Sequence, residues 1–215
     1  MSQKTKTILI VLLIFILISF GLFVYYENYY IKKGYYDFTR ANVKEEIMGD
    51  IKRITDDRIG LSFEMPNDWL LIRDEETLLL ESPDINFRNA IDFPQWNRGC
   101  RIVITFQRNE RGQGWFTPYD VTKDKINELW KKENNELTSG NTTESIVDIL
   151  NLDALKEVSV LRDDNNEDVL PMSITLIKLP IGKDVLYYFE TMELLNNPVC
   201  EPIFEDFLSS LQIKQ

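Results

Sequence analysis

Residues 7–26 form an uninterrupted run of twenty uncharged, mostly apolar residues, TILIVLLIFILISFGLFVYY. A helix rises about 1.5 Å per residue, so this run reaches roughly 30 Å, the thickness of the hydrocarbon core of a bilayer. It predicts a transmembrane anchor over residues 7–26, preceded by a short basic tail at residues 1–6. The run ends in FVYY rather than in the small residues of a cleavage site, which favours an uncleaved signal anchor over a cleaved signal peptide.

The orientation of this anchor depends on the lysines and arginines around it. Two lysines precede the run, whereas four basic residues follow it closely: Lys32, Lys33, Arg40 and Lys44. A count under the positive-inside rule therefore favours a cytoplasmic domain. The basic tail directly abuts the apolar run, however, as in a signal anchor, and we expect a cytoplasmic N-terminus. The predicted location is the cell membrane, single-pass, with the domain extracytoplasmic.

The remainder of the chain divides into a juxtamembrane segment and tether at residues 27–50 and one domain at residues 51–215. We interpret residues 29–50 as a helical extension followed by the tether. The whole chain has a formal net charge of −11, and residues 1–26 contribute two lysines only, so the rest carries −13. Nucleic acid is an unsuitable partner for such a surface, because phosphate binding requires clustered Lys and Arg. We expect the membrane, through residues 7–26, and an envelope protein or a small ligand as partners.

The chain has two cysteines, Cys100 and Cys200, which belong to no C-x-x-C motif. An extracytoplasmic domain would allow a disulfide between them, and the chain-entropy model gives a loop of about 100 residues roughly 4.7 kcal/mol of stabilisation. The alternative is two buried thiols that pack as small hydrophobes. Both interpretations stay open at this stage.

Hydrophobic periodicity predicts a sheet with two helices. Alternation in Cys100, Ile102, Ile104 and Phe106 is typical of a half-buried strand. Further strands are predicted at 51–55, 61–66, 70–72, 77–81, 145–150, 154–161, 172–179 and 185–195, and a long loop at 84–99. Helical periodicity over residues 120–137 and from Pro202 onward predicts the two helices. The sum is an antiparallel sheet with helices, an α+β sandwich.

Three segments resemble PsbP-like domains: GLSFEMPNDW at residues 60–69, NLDA at 151–154 and FLSSLQIK at 207–214. That family includes extrinsic photosystem subunits and a Ran-binding eukaryotic relative. The resemblance implies an α/β/α sandwich around a twisted antiparallel sheet, here preceded by one transmembrane helix, and a non-catalytic accessory or binding role. No functional residue carries over, and the histidine metal sites of some members have no counterpart in this chain.

The composition excludes several kinds of chemistry. The chain has no histidine, so Ser-His-Asp and Cys-His catalysis and histidine-containing metal sites are excluded. No S-x-x-K motif or phosphate-binding loop occurs. The acidic stretch at residues 163–168 (DDNNED) lacks the Gly and Glu of an EF-hand loop, so we interpret it as a hairpin turn rather than a calcium site. We expect no metal and no cofactor.

Five aromatic residues in segments rich in Pro and Gly are the candidate partner-binding residues: Phe93, Trp96, Trp115, Phe116 and Tyr119. Exposed aromatic side chains in loops are typical of binding hot spots. The alternative is that these loops fold back and bury their aromatic side chains against the sheet. Trp69 and Trp130 are predicted to lie in the core.

The sequence therefore predicts a membrane-anchored, extracytoplasmic, non-catalytic accessory or binding protein. One alternative is an envelope hydrolase that uses Asp and Glu; it would require a cleft with facing carboxylates, one of them with a raised pKa. Another is a structural subunit of a membrane complex.

Overall fold

A computed structural model of the chain describes residues 36–40, 43–85, 87–89, 94–96, 99–108, 118–161, 172–195 and 199–214, together with the isolated helical residues Ser19 and Gly21. The chain separates into two compact units, Met1–Gly34 and Tyr35–Gln215. The fold described below is that of the second unit.

This unit is mostly β. Its described residues form a 3₁₀ turn, fourteen strands and two α-helices. In chain order these are the 3₁₀ turn (Phe38–Arg40), β1 (Val43–Met48), β2 (Ile51–Asp56), β3 (Leu61–Pro66), β4 (Leu70–Arg73), β5 (Leu78–Glu81), β6 (Phe87–Asn89), β7 (Pro94–Trp96), β8 (Arg101–Arg108), α1 (Pro118–Leu129), β9 (Glu136–Ser139), β10 (Thr142–Ile149), β11 (Leu152–Leu161), β12 (Met172–Ile181), β13 (Val185–Leu194), α2 (Cys200–Ser210) and β14 (Gln212–Ile213).

The larger sheet has eight antiparallel strands in the order β4-β5-β8-β13-β12-β11-β10-β9. Successive side chains of a strand point to opposite faces of the sheet. The inner face of this sheet packs in the main core, and the outer face is the opposite one. The pairs Leu78↔Ile104 and Ile104↔Phe189 belong to the inner face, where all three side chains are buried. The strands predicted at 61–66, 100–107, 172–179 and 185–195 are confirmed as β3, β8, β12 and β13.

The smaller sheet has the order β1-β2-β3-β14, and α2 packs between its strand β3 and strand β13 of the larger sheet. The ring of Phe207 in α2 lies 5.3 Å from that of Phe63 in β3 and 5.6 Å from that of Phe189 in β13. One buried cluster therefore contains side chains from both sheets and from the helix. Trp69 belongs to this cluster, as predicted.

Helix α1 contacts the outer face of the larger sheet near β10, β11 and β12. Its buried residues are Tyr119, Thr122, Ile126 and Leu129, which recur every three or four positions as a helical stripe requires. Ile126 and Leu129 form a second small core with Leu155.

This architecture corrects the predicted α+β class. An α/β/α sandwich needs a layer of helices on each face of a sheet. The described residues are mostly strands, which form an eight-stranded, a four-stranded and a two-stranded sheet, and they include only two α-helices. No helix in the described ranges is long and apolar enough to cross a membrane, which also corrects the predicted fold with a leading transmembrane signal anchor. The run at residues 7–26, on which that prediction rested, lies outside the described residues except for Ser19 and Gly21.

The segment before residue 51 also differs from the predicted helical extension and tether. Phe38 is fully buried in the main core, and β1 pairs with β2 over six residues through a turn at Gly49 and Asp50. Gly49 has a φ of +75°, a conformation that glycine adopts without strain. Because β1 is an edge strand with four exposed residues, its sequence has little apolar alternation to indicate a strand.

The first helix is shorter than predicted, and Trp130 is not a core residue. Helix α1 ends at Leu129, and residues 136–139 form β9. The intervening polar residues provide no buried stripe, and Asn135, with a φ of +49°, reverses the chain. Trp130 lies at the end of α1 beyond its apolar stripe; it is 53% exposed, and its indole Nε1 donates a hydrogen bond to Asp153 at 3.0 Å.

Candidate functional site

The structure describes the environment of only one of the five candidate aromatic residues. Phe93, Trp115 and Phe116 lie outside the described residues. Trp96 ends β7, where it pairs with Phe87, and its side-chain environment is outside the description. The hypothesis of an aromatic rim therefore stays a prediction for these four residues.

Tyr119 is buried rather than exposed. It is 8% exposed, and its hydroxyl donates a hydrogen bond to the carbonyl of Gly182 at 2.6 Å. Desolvation by burial, followed by the nearby charge of Asp120, raises the pKa of Tyr119. The contact connects the start of α1 to the turn between β12 and β13, so Tyr119 has a structural role and does not belong to an exposed rim.

We expect Tyr119→Phe to lower the free energy of unfolding by about 1 kcal/mol, because it removes one hydrogen bond and leaves the Gly182 carbonyl without that donor. Urea unfolding measures the change. Val121→Ala provides a control on the exposed side of the same helix and should change stability by less than about 0.5 kcal/mol. Equal effects of the two substitutions would contradict the structural role.

A groove of about 220 Å³ lies beside α2, where the helix meets both sheets. Its floor consists of apolar side chains from β3, β5, β8, α2 and the turn after β3. They are Met65, Leu80, Ile102, Phe207 and Trp69. The mouth carries the polar residues Glu64, Asp206 and Ser210. The groove thus combines an apolar interior with carboxylates at its entrance.

The two carboxylates at the mouth differ in their surroundings. Glu64 is paired with Arg53 at 2.6 Å, and the Glu64 backbone N–H donates to the hydroxyl of Ser210 at 2.9 Å. Asp206 is exposed on α2 and has no ion pair or side-chain hydrogen bond to any of the described residues. Asp206 is therefore the carboxylate that is available to a cation entering the groove.

The solvent side of α2 extends this negative charge. Glu201, Glu205 and Asp206 are all exposed on the helix. The N-terminus of α2 is satisfied by Glu193, whose carboxylate accepts the backbone N–H groups of Cys200 at 3.0 Å and Glu201 at 3.2 Å. The exposed acidic groups of α2 therefore remain open to a positively charged partner.

The disulfide between Cys100 and Cys200 ties the start of α2 to the start of β8, with the two Cα atoms 5.1 Å apart. Gly99, which precedes Cys100, has a φ of +87°, and a Cβ at this position would come within 2.4 Å of the Ile85 Cα. Only glycine fits this approach of two backbone segments. The disulfide therefore holds α2, and with it the groove, against the larger sheet.

A second cleft, of about 370 Å³, lies between α1 and the outer face of the larger sheet. Two of its four carboxylates are closely paired with lysines: Lys125 with Glu144 at 2.8 Å, and Lys178 with Glu157 at 2.6 Å. An Asp- and Glu-dependent hydrolase requires two carboxylates that face each other, whereas Glu144 and Glu157 each face a lysine. The cleft is better described as an ion-paired surface.

Glu190 is the carboxyl group of β13 whose surroundings are most apolar. It lies on the outer face between Val103 of β8 and Leu176 of β12, its neighbours in register. Burial raises the pKa of Glu190. Glu190 does not line the cleft beside α1. The carboxylates of that cleft therefore do not face Glu190 across it.

The raised pKa of Glu190 predicts a pH-dependent effect on stability. Between the ordinary value of 4.5 and the higher folded-state value, the folded protein binds more protons than the unfolded chain, so this group lowers stability as pH rises. Glu190→Gln should therefore be more stable than the wild type at pH 7, and this advantage should decrease as pH falls. Urea unfolding from pH 4 to pH 7 measures the difference. A stability difference between Glu190→Gln and the wild type that does not change with pH would contradict this prediction.

The described residues do not form a metal-binding cluster. Within the described ranges, no group of three or more His, Cys, Asp and Glu side chains is placed to hold a metal ion. The acidic stretch at residues 163–168 lies outside these ranges.

No family model matches the chain, and no curated protein matches it. A solved structure from Bacteroides thetaiotaomicron VPI-5482 is similar to it, with 15% identity, a TM-score of 0.44, and coverage of 73% of this chain and 46% of that one. The chain thus spans about half the length of that protein, and a similarity at this level assigns neither fold nor function. None of these comparisons points to a PsbP-like domain, and that resemblance is unsupported.

Proposed function

We propose that the unit Tyr35–Gln215 is a non-catalytic binding module that acts outside the cytoplasm. Its ligand is a basic segment of a partner protein, and one apolar side chain of that segment enters the groove beside α2. The observation that carries this proposal is the combination of an apolar groove floor with the Asp206 carboxylate at its mouth, which no described residue pairs with.

The size of the groove favours a single side chain over a drug-sized molecule. Pockets for drug-sized ligands typically measure about 300–1,000 Å³, and this groove is smaller at about 220 Å³. A single apolar anchor of a protein partner needs less room, and such anchors contribute most of the binding energy at interfaces. The groove therefore fits one large apolar side chain of an interacting protein.

The charge of the chain favours a basic partner. The exposed Asp206 carboxylate lies at the mouth of the groove, and the whole chain carries a formal net charge of −11. Complementary charge steers association and excludes like-charged competitors. A lysine or arginine next to the anchor would meet Asp206, so the preferred segment carries basic residues on each side of one apolar anchor.

The disulfide supports a location outside the cytoplasm. Disulfides persist in oxidising compartments and are rare in reducing ones. Cys100 and Cys200 are both fully buried or nearly so, and they are joined in the structure. The hydrolase alternative is disfavoured by the lysine-paired carboxylates of the cleft beside α1.

Fluorescence anisotropy with labelled synthetic peptides tests the proposal. A peptide with one leucine between pairs of lysines should bind the full chain, whereas versions with serine for leucine, or glutamate for lysine, should bind at least about tenfold more weakly. Affinity should also fall as salt is raised, because the charges are exposed.

Charge reversal at the mouth of the groove provides the site-specific test. We expect Asp206→Lys to weaken binding of the lysine–leucine peptide by about tenfold or more, since it replaces attraction by repulsion. Glu136→Lys makes the same charge change at an exposed position of β9 and should have an effect of less than about twofold. Equal effects of both variants, or no binding by any basic peptide, would overturn the proposal.

A further inference from the structure

A separate cavity of about 130 Å³ lies on the opposite flank of α2, between the helix and the inner face of strands β10 to β13. Liquid water occupies about 30 Å³ per molecule, so this cavity equals about four waters and suits an organic molecule of a few heavy atoms. It is distinct from the groove of the proposed function, because none of its lining residues lines that groove.

The cavity has an apolar floor and a polar wall on the sheet. Ile149, Ile177 and Phe204 are buried apolar residues of its lining. Thr175 and Thr191 lie directly opposite each other in the register of β12 and β13 and bring their hydroxyls to the same face. The Thr191 hydroxyl donates to the Arg101 carbonyl at 3.0 Å.

Charges of both signs line the cavity from opposite elements. Lys156 comes from β11 of the sheet, and Glu201 and Glu205 come from α2. None of the ion pairs of the described residues joins Lys156 to either carboxylate, although all three side chains line the same space. A cation and two carboxylates that share a cavity without pairing leave room for a ligand that carries both charges.

We propose that this cavity binds a zwitterionic small molecule of the α-amino acid class with a short apolar side chain. The ligand carboxylate pairs with the Lys156 ammonium beside the Thr175 hydroxyl, and the ligand ammonium pairs with Glu201 and Glu205. The apolar side chain contacts the floor formed by Ile177 and Phe204. The small volume excludes amino acids with large aromatic side chains.

The rest of the fold holds these groups in place. Lys156 stands in register with Ile177, so its backbone is fixed in the centre of the sheet. Glu201 and Glu205 follow Cys200 in α2, and the disulfide ties that end of the helix to β8. Preorganised polar groups lower the entropic cost of binding a small ligand.

Isothermal titration of the full chain with L-alanine and L-valine tests the proposal. Two analogues each lack one charge: N-acetyl-L-alanine lacks the cation, and L-alaninamide lacks the anion. Each should bind about tenfold or more weakly than L-alanine, the loss expected when a hydrogen bond between charged groups is removed. Equal affinity for L-alanine and both analogues would overturn the proposal, and so would the absence of binding by any of the zwitterions.

Two substitutions assign each charge to its residue. Lys156→Met should bind L-alanine and L-alaninamide with equal affinity, because the contact to the ligand carboxylate is lost. Glu205→Gln should reduce the difference in affinity between L-alanine and N-acetyl-L-alanine, because one of the two carboxylates that pair with the ligand ammonium is lost. Lys183→Met, at an exposed position in the turn between β12 and β13, should leave all four affinities unchanged within about twofold.

A Lys156→Met or Glu205→Gln variant that still discriminates between L-alanine and the two analogues as the wild type does would overturn the assignment. Circular dichroism of each variant shows whether it is folded. The Asp206→Lys variant of the peptide test should bind L-alanine normally, so failure of the peptide-binding proposal and failure of this one are distinguishable.

Discussion

Replacing both cysteines by serine is expected to lower the free energy of unfolding by about 2–5 kcal/mol. The disulfide joins residues 100 positions apart, and the chain-entropy model gives roughly 4.7 kcal/mol for a loop of that size. This is a large fraction of the stability of an ordinary domain, which is about 5–15 kcal/mol.

Chemical unfolding of the Cys100→Ser, Cys200→Ser double variant and of the wild type, with and without reductant, measures this effect. Reduced wild type should have nearly the same midpoint as the double variant, whereas oxidised wild type should have a higher one. Reductant should leave the double variant unchanged. Coincident curves for oxidised and reduced wild type would show that the disulfide does not stabilise the fold.

Phe207→Ala is expected to cost about 3–5 kcal/mol, the range for truncating a buried aromatic side chain. Phe207 is 3% exposed and contacts the rings of Phe63, Phe189 and Phe204 at centroid distances of 5.3, 5.6 and 6.0 Å. These neighbours belong to the smaller sheet, the larger sheet and α2, so the substitution opens a cavity at the junction of all three. It should also weaken peptide binding, because Phe207 forms part of the groove floor.

Denaturant unfolding of Phe207→Ala compared with Val199→Ala isolates the effect of burial. Val199 precedes the same helix and is 43% exposed, so its truncation should change stability by less than about 0.5 kcal/mol. A cost below about 1 kcal/mol for Phe207→Ala would mean that α2 is not the element that connects the two sheets.

The strands that could be predicted from sequence are those with one clearly buried face. In β8, Ile102, Ile104 and Phe106 alternate with partly exposed residues, and alternation is a local signal. Strand β1 lacks that signal because both of its faces are largely solvated. Phe38 is an isolated apolar residue in a polar stretch, and nothing local indicates that it reaches the core.

The helices show where a periodic pattern misleads. Val121 and Trp130 are apolar residues within the range predicted to be helical, but the buried face of α1 runs through Thr122, Ile126 and Leu129 instead. Thr122 is compatible with burial because its hydroxyl donates to the Pro118 carbonyl at 2.8 Å. Hydrophobicity alone does not distinguish a residue inside the stripe from one at its margin.

The groove and the cavity beside α2 could not be predicted from sequence, because each combines residues of several non-consecutive elements. The groove brings Met65, Ile102 and Phe207 together, and the cavity brings together Lys156 and Glu205. Their proximity depends on the strand order and on the position of α2 between the sheets. The predicted aromatic residues were selected by loop composition, which is local and does not report these long-range contacts.

The position of the last elements constrains how this protein is made. Strand β14 pairs with Leu61 and Ser62, which are synthesised some 150 residues earlier, and Cys200 is the partner of Cys100. At about 5–20 residues per second, a ribosome needs roughly 5–20 s to pass from one cysteine to the other. During that interval the Cys100 thiol is unpaired and the inner face of the larger sheet lacks its helix. The native pairing of β14 with β3 can therefore form only after residue 213 has emerged.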